Sequence, residues 1–409
     1  MLDFLKNLFL SPDKYKKNSE AIIISCFYNS ENSEYRLKAF NQWYETIKHL
    51  NHKIVECVIG NAKPQLPTNP NIEVIYTQDL LWHKESILNK IISELPTKFK
   101  YVFWLDADII FENKNWLVEA VEELKTVNIL QPFSFCYHLE KDETKPNKIT
   151  LEQAQRYLDP ISPKERRVWR SFCANYVLNP EHINSTNYDI HGHVGFAWGA
   201  KREIFDHIKL YDKALIGGAD HIIAHAATGQ VQSSCITKAF QENLDEIQKW
   251  SEEFAKIIDG KIGYVPGNLY HIWHGSIESR EYLKRIQDFD SETKNIKKRD
   301  KNGLFIGTPK TSKYAKEYFA KREVNQKNLH LHTKTNQSSN NNSDDGFLTS
   351  MVAGYATDST LAGTLIGGNL AGAMIGDMLN NSEHNHSQPQ EQNFGGGDTG
   401  GSGAESNFS

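Results

Sequence analysis

The chain has 409 residues, 39% of them hydrophobic, 11% aromatic and 24% charged, with a formal net charge of −5. That length and apolar content supply a sizeable core, and the weak negative charge removes any electrostatic case for nucleic acid. The five cysteines, Cys26, Cys57, Cys136, Cys173 and Cys235, are odd in number and never in C-x-x-C spacing. This argues against a disulfide framework or zinc site and for a reducing compartment.

Met1 to Leu10 is apolar but carries Asp3 and Lys6 and no cleavage-site pattern, so it is not read as a secretory signal. Leu2, Leu5 and Phe9 recur at helical spacing. Residues 1–19 therefore read as an amphipathic segment that either touches a membrane surface or packs on its own domain. From Glu20 onward apolar strands alternate with amphipathic helices. Ala21 to Phe27 reads as the first strand, Leu37 to Leu50 as a helix, and Ile54–Ile59 and Ile72–Tyr76 as strands. Ser86 to Leu95 reads as a helix stopped by Pro96, and Tyr101 to Leu105 as the fourth strand. The alternation predicts an α/β fold, a mostly parallel sheet covered by helices on both faces.

Residues 140–190 are charged, aromatic and irregular, with helical spacing around Leu151 to Leu158, and read as an insertion or lid over the sheet. Regular patterning returns at Val194 to Ala200 and runs to Arg322, so residues 20–322 are assigned to one domain. Residues 323–346 read as a polar linker and 380–409 as a disordered, low-complexity Gly/Ser/Asn-rich tail. Between them, residues 347–379 place Gly363/Gly367 and Gly372/Gly376 four apart. That spacing predicts either a glycine-zipper element for self-association or membrane docking, or a flexible tail.

Four clusters on this scaffold carry chemistry. The apolar run Tyr101 to Leu105 ends at Asp106-Ala107-Asp108. Strand ends in α/β sheets border the ligand crevice, and carboxylates there can share a divalent cation that neutralises a diphosphate. A bare Asp-x-Asp also occurs on solvated turns, but Ile109, Ile110 and Phe111 leave little room for one here. Gly217-Gly218-Ala219-Asp220 follows Trp198-Gly199. Gly218 lets the backbone approach a ligand, and Asp220 is either a general base or a helix N-cap. In Leu269-Tyr270-His271-Ile272-Trp273-His274, strand alternation predicts that one histidine reaches the crevice; imidazole beside carboxylates suits a cation such as manganese. Taken alone, either histidine reads first as a core or surface residue. In Trp82-His83-Lys84-Glu85-Ser86-Ile87-Leu88-Asn89, Lys84 or Asn89 could contact a nucleotide or diphosphate, or the segment is a solvated helix face.

Taken in order, these clusters resemble the GT-A glycosyltransferases, most closely the beta-1,4-galactosyltransferase-like and family-2-like branches. That family has an Asp-x-Asp strand end, a Gly-Gly-Glu-Asp loop, and a later histidine followed by an Arg-aromatic helix. Here these are matched by Asp106/Asp108, by Gly217 to Asp220, and by Trp273-His274-Gly275 with Arg280, Tyr282 and Arg285, over about residues 20 to 300. The resemblance implies a GT-A nucleotide-sugar-binding fold and a metal-dependent, inverting glycosyltransferase. It implies Mn2+ or Mg2+ held by Asp108 and His274, with Asp106 on the ribose or in the metal shell. Asp220 would be the base, and Cys26, Tyr28 and Asn29 would face the base and ribose of a UDP-sugar. Trp198 would stack on a sugar or acceptor. The family's Glu before the catalytic Asp is Ala219 here, so acceptor identity does not transfer. The family's membrane anchor and disulfides have no counterpart, which implies a bacterial or viral cytoplasmic enzyme, with any membrane association left to the glycine-rich segment. The alternatives are a non-catalytic carbohydrate- or nucleotide-binding module with an interaction tail, and a nucleotidyltransferase.

Overall fold

The computed structural model describes residues 14–30, 32–157, 165–184, 191–275 and 282–319. The amphipathic segment before residue 14, the polar linker, the glycine-zipper segment and the tail lie outside the described residues, as does Arg280. Among the described residues no helix is long and apolar enough to cross a membrane.

Eleven strands are described: β1 (Ala21–Tyr28), β2 (His52–Ile59), β3 (Ile72–Thr77), β4 (Tyr101–Leu105), β5 (Ile109–Phe111), β6 (Ile129–Gln131), β7 (Phe135–His138), β8 (Val168–Arg170), β9 (Ala197–Lys201), β10 (Ile262–Tyr264) and β11 (Asn268–His271). The α-helices are α1 (Glu34–Ile47), α2 (Lys84–Glu94), α3 (Trp116–Glu123), α4 (Lys148–Gln155), α5 (Phe172–Leu178), α6 (Ala219–Ala227), α7 (Ser234–Thr237), α8 (Leu244–Ile258), α9 (Tyr282–Thr293) and α10 (309–319).

Seven strands form one sheet in the order β10-β6-β9-β4-β1-β2-β3, parallel except for β9, which runs antiparallel to both β4 and β6. The fold is thus the mixed α/β architecture of a large, mostly parallel sheet flanked by helices. Parallel strands covered on both faces need near-continuous apolar sequence, and the run Ile22-Ile23-Ile24 in β1 is fully buried. At the sheet edge β3 instead alternates, with Val74 and Tyr76 exposed. The other four strands form a smaller sheet, β5-β11-β7-β8.

Local signals set the helix ends. Ser33 caps α1 by accepting from the Arg36 amide, so this helix starts three residues before the apolar spacing alone suggests. In α2 the chain turns extended at Leu95, the residue before Pro96, where helical backbone is disfavoured. Within the segment 140–190, β8 pairs with β7, and Phe172, Cys173 and Ala174 on α5 are buried, whereas on α4 only Thr150 is buried and Ile149 and Leu151 are exposed.

One consequence of the antiparallel β9 matters for the site. Its register places Trp198 opposite Trp104, and the two rings stack at 6.3 Å and 9° in the core. Gly199 lies opposite Phe103; a Cβ on Gly199 would come within 2.4 Å of the Phe103 ring, so only glycine lets this aromatic layer close.

Candidate active site

The chain passes from the large sheet to the small one through Asp106-Ala107-Asp108, the link between β4 and β5. The two carboxylates therefore stand where the sheets diverge. β5 pairs antiparallel with β11, with Ile109 opposite His271, and the Ile272 amide donates to the Asp108 carbonyl at 2.8 Å. This register carries both histidines to the second carboxylate. His274 Nε2 lies 3.0 Å and His271 Nε2 3.8 Å from Asp108 Oδ2. Ligand atoms of Asp108, His271 and His274 all fall within 4.8 Å of one another. His274 alone of the two lines the cleft, as strand alternation predicts, while both imidazoles approach Asp108. Strand alternation ends with β11 at His271, and the non-strand residues that follow let His274 turn back to the same side.

Two nearly buried imidazoles and one carboxylate form a donor set that fits a divalent cation, particularly a borderline one. Asp106 does not join it. Its Oδ1 accepts from Lys84 Nζ at 2.7 Å, and Lys84 Nζ also lies 3.6 Å from Asp220 Oδ1. Burial opposes charge on Lys84, but Asp106, Asp220 and Glu85 outweigh it and raise the ammonium well above its ordinary range. Burial pushes the Asp106 carboxyl up; Lys84 opposes this, while Asp220 and Asp108 add to it.

Asp220 is the second residue of α6. The cap is Gly218, not Asp220; Gly217 and Gly218 have φ of 98° and 96°, a left-handed path that favours glycine. The carboxylate sits in the first helical turn, where the helix dipole favours negative charge, and it lines the cavity.

A single cleft, with about 1210 Å³ of empty space counted out to solvent, joins these groups. From β1 and β2 it is lined by Cys26, Tyr28 and Cys57, from α1 by Arg36, and from the start of α2 by Lys84 and Glu85. Asp106, Asp108, Gly218, Asp220, His274 and Arg285 also line it.

Three sequence candidates do not reach this cleft. Trp198 is 1% exposed, stacked on Trp104, and its indole N–H donates to the Val194 carbonyl. Asn89 is held in α2 by a reciprocal pair with Leu210, donating to its carbonyl and accepting from its amide, both at 2.9 Å. Asn29 accepts from the Ser33 amide and donates to the Ser33 carbonyl and to Gln65 Oε1, which fixes the turn after β1. All three are structural.

Sequence reasoning assigned no role to Glu85, Arg36 or Phe196. Arg36 had a local signal, a cation in the first turn after the β1 loop. Phe196 had none. It is a non-glycine residue at φ 77°, a conformation costing about 1–3 kcal/mol. Its carbonyl accepts from the Asp106 amide at 2.8 Å. Its ring stacks between His193 at 4.1 Å and His271 at 4.9 Å. The strained residue thus supports a carboxylate at the strand end and an imidazole of the Asp108 cluster together.

No known family pattern matches the chain, and no curated protein matches it. Among solved structures it is similar to glucosyl-3-phosphoglycerate synthase from Mycobacterium tuberculosis in complex with Mn2+, UDP-glucose and phosphoglyceric acid. Identity is 10%, covering 76% of this chain and 91% of that chain, with a TM-score of 0.31. It is likewise similar to mannosyl-3-phosphoglycerate synthase from Rubrobacter xylanophilus, at 11% identity over 67% of this chain and 73% of that chain, with a TM-score of 0.30. At scores this low the overlap fixes no residue correspondence, and what the site can do follows from its own side chains.

Proposed function

We propose that the protein is a metal-dependent glycosyltransferase that moves a sugar from a nucleoside diphosphate to an acceptor hydroxyl, with inversion at the anomeric carbon. The observation that carries this reading is the single cleft lined both by Asp108 and His274 of the histidine–carboxylate cluster and by Asp220 at the glycine loop.

Asp108, His271 and His274 would hold the cation. A divalent ion there supplies charge stabilisation for a departing diphosphate. The chain's own groups do the rest. Asp220, presented on a helix N-terminus, takes the proton from the attacking hydroxyl. Lys84 bridges Asp106 and Asp220 and so fixes the distance between the strand end and the base. Tyr28, Cys26 and Arg36 form the end of the cleft assigned to the nucleoside, next to the carboxyl end of β1.

The test is a panel of nucleotide sugars, with UDP-sugars first, incubated with purified protein and Mn2+ or Mg2+. Release of free nucleoside diphosphate is scored with and without chelator. Chelator-sensitive release from one donor supports the transferase and names the sugar. Metal-dependent nucleotide binding without turnover, under any acceptor, favours the binding-module reading. Absence of both removes the metal assignment.

A further inference from the structure

On the nucleotide reading above, the cleft is lined by four carboxyls, Glu85, Asp106, Asp108 and Asp220. Three of them have charged or imidazole partners. Asp108 faces His274 at 3.0 Å and His271 at 3.8 Å, and Lys84 Nζ lies 2.7 Å from Asp106 and 3.6 Å from Asp220. Glu85 differs. It stands in the first turn of α2, the helix that packs on β1, and is 3% exposed although it lines the cleft. Among the described residues no cation comes within ion-pair distance of it, and only its own backbone amide hydrogen-bonds the carboxyl.

The geometry points to Glu85 as the receptor for an uncharged hydrogen-bonding edge of the nucleoside, to which its carboxylic acid donates. A nearly buried carboxylate without a counter-charge is costly, and such a group keeps its proton instead. Facing Glu85 are Lys84 from its own helix, Asp220 from α6, Asp106 from the end of β4 and the Cys26 thiol from β1. Burial pushes the carboxyl up to about 8; Lys84 and the backbone amide oppose this, while Asp220 and Asp106 add to it. The acid therefore presents a donor and an acceptor side by side, as the edge of a nucleobase does. Its position agrees with that role. After burial and Cys57, Glu85 is the group that most raises the Cys26 thiol, and Cys26 lies at the end of β1 given to the nucleoside. The cation-facing Asp108 instead leads into β5.

The experiment follows UDP binding to the full-length protein by calorimetry at saturating Mg2+. Wild type, Glu85→Gln and Glu85→Ala are compared. Ionisation of a carboxyl with a folded value of about 8 should weaken wild-type binding about tenfold between about pH 7 and 9. Glu85→Gln keeps a donor and an acceptor but cannot ionise, so it should match wild type at the lower pH and hold its affinity at the higher. Glu85→Ala should bind about 2- to 10-fold more weakly throughout, the loss of one hydrogen bond. Near the folded value, wild type should take up about half a proton on binding, read from the heats in two buffers of different ionisation enthalpy, and Glu85→Gln none. Inorganic pyrophosphate should bind all three proteins alike. The same pH loss in wild type and Glu85→Gln, or wild-type affinity in Glu85→Ala, overturns the assignment. So does a pyrophosphate affinity that follows the UDP pattern, which would give Glu85 to the diphosphate. If UDP binds none of the proteins, the nucleotide reading itself fails and the assignment falls with it. Dideoxy-UDP, lacking both ribose hydroxyls, separates the two sources of the edge. A pH loss retained with this ligand, the expected result, places the edge on the base; a pH loss abolished places it on the ribose.

Discussion

Glu85 gives the sharpest physical test of the cleft. It is the second residue of α2, 3% exposed, and faces the cavity beside Lys84. Burial pushes its carboxyl up from the ordinary 4.5 to about 8; Lys84 pulls it down, and Asp220 and Asp106 push it further up. The folded chain therefore keeps a proton that the unfolded chain gives up near pH 4.5. The stability this group contributes is fully present below its unfolded value and is lost as pH rises through the folded value of about 8. A slope of about 1.4 kcal/mol per pH unit across that interval gives a ceiling of about 5 kcal/mol. Water entry and side-chain rearrangement around a newly charged carboxylate reduce this to about 2–5 kcal/mol. Glu85→Gln keeps the shape and removes the titration. Urea unfolding of both proteins at about pH 5, 7 and 9 reads this term together with the smaller shifts that loss of the carboxyl causes at Lys84, Asp106 and Asp220, while distant groups cancel in the difference. The variant should gain on wild type steadily as pH rises and hold the gain above pH 8. A difference between the two proteins that is the same at all three pH values refutes the burial argument.

Three further outcomes are expected. Asp220→Asn should lower transfer about 10²- to 10⁴-fold, the usual contribution of a positioned base, while calorimetric UDP affinity stays near wild type; retained turnover would mean another base. His271→Ala should weaken Mn2+ binding at least about tenfold in equilibrium dialysis; an unchanged affinity would return His271 to the core. Trp198→Ala should cost about 3–5 kcal/mol of stability and leave donor affinity of the folded protein unaltered. A loss of affinity with little loss of stability would instead give Trp198 the ligand-stacking role.

What could be read in the sequence, and what could not, divides along a physical line. Ala21–Tyr28 and Tyr101–Leu105 were legible because each is a short apolar run whose burial is decided locally, and a carboxylate pair at the end of such a run has few places to go. The glycines of Gly217-Gly218 were legible for the same reason: their backbone angles belong to them alone. The errors arose where a partner distant in sequence decides. Trp198 is covered because β9 enters the sheet antiparallel, which sets Trp104 against it. Asn89 looked like a ligand contact because the Leu210 backbone it clamps lies 121 residues further on. The approach of both histidines to Asp108 was not legible, because alternation holds only while the strand lasts, and the strand ends at His271.

The Asp-x-Asp link shows the same division within three residues. Pattern alone makes its two carboxylates equivalent, but the structure separates them. Asp108 follows the turn into β5 and so meets the end of β11 and its histidines. Asp106 directly follows β4 of the large sheet, where Lys84 at the start of α2 reaches it. One carboxylate is thereby left to a cation, and the other carries the ammonium that also reaches Asp220. Lys84→Met would leave Asp106 and Asp220 facing each other without the charge between them. That repulsion should show as lost stability, whereas Asp108→Asn should show chiefly as lost metal binding.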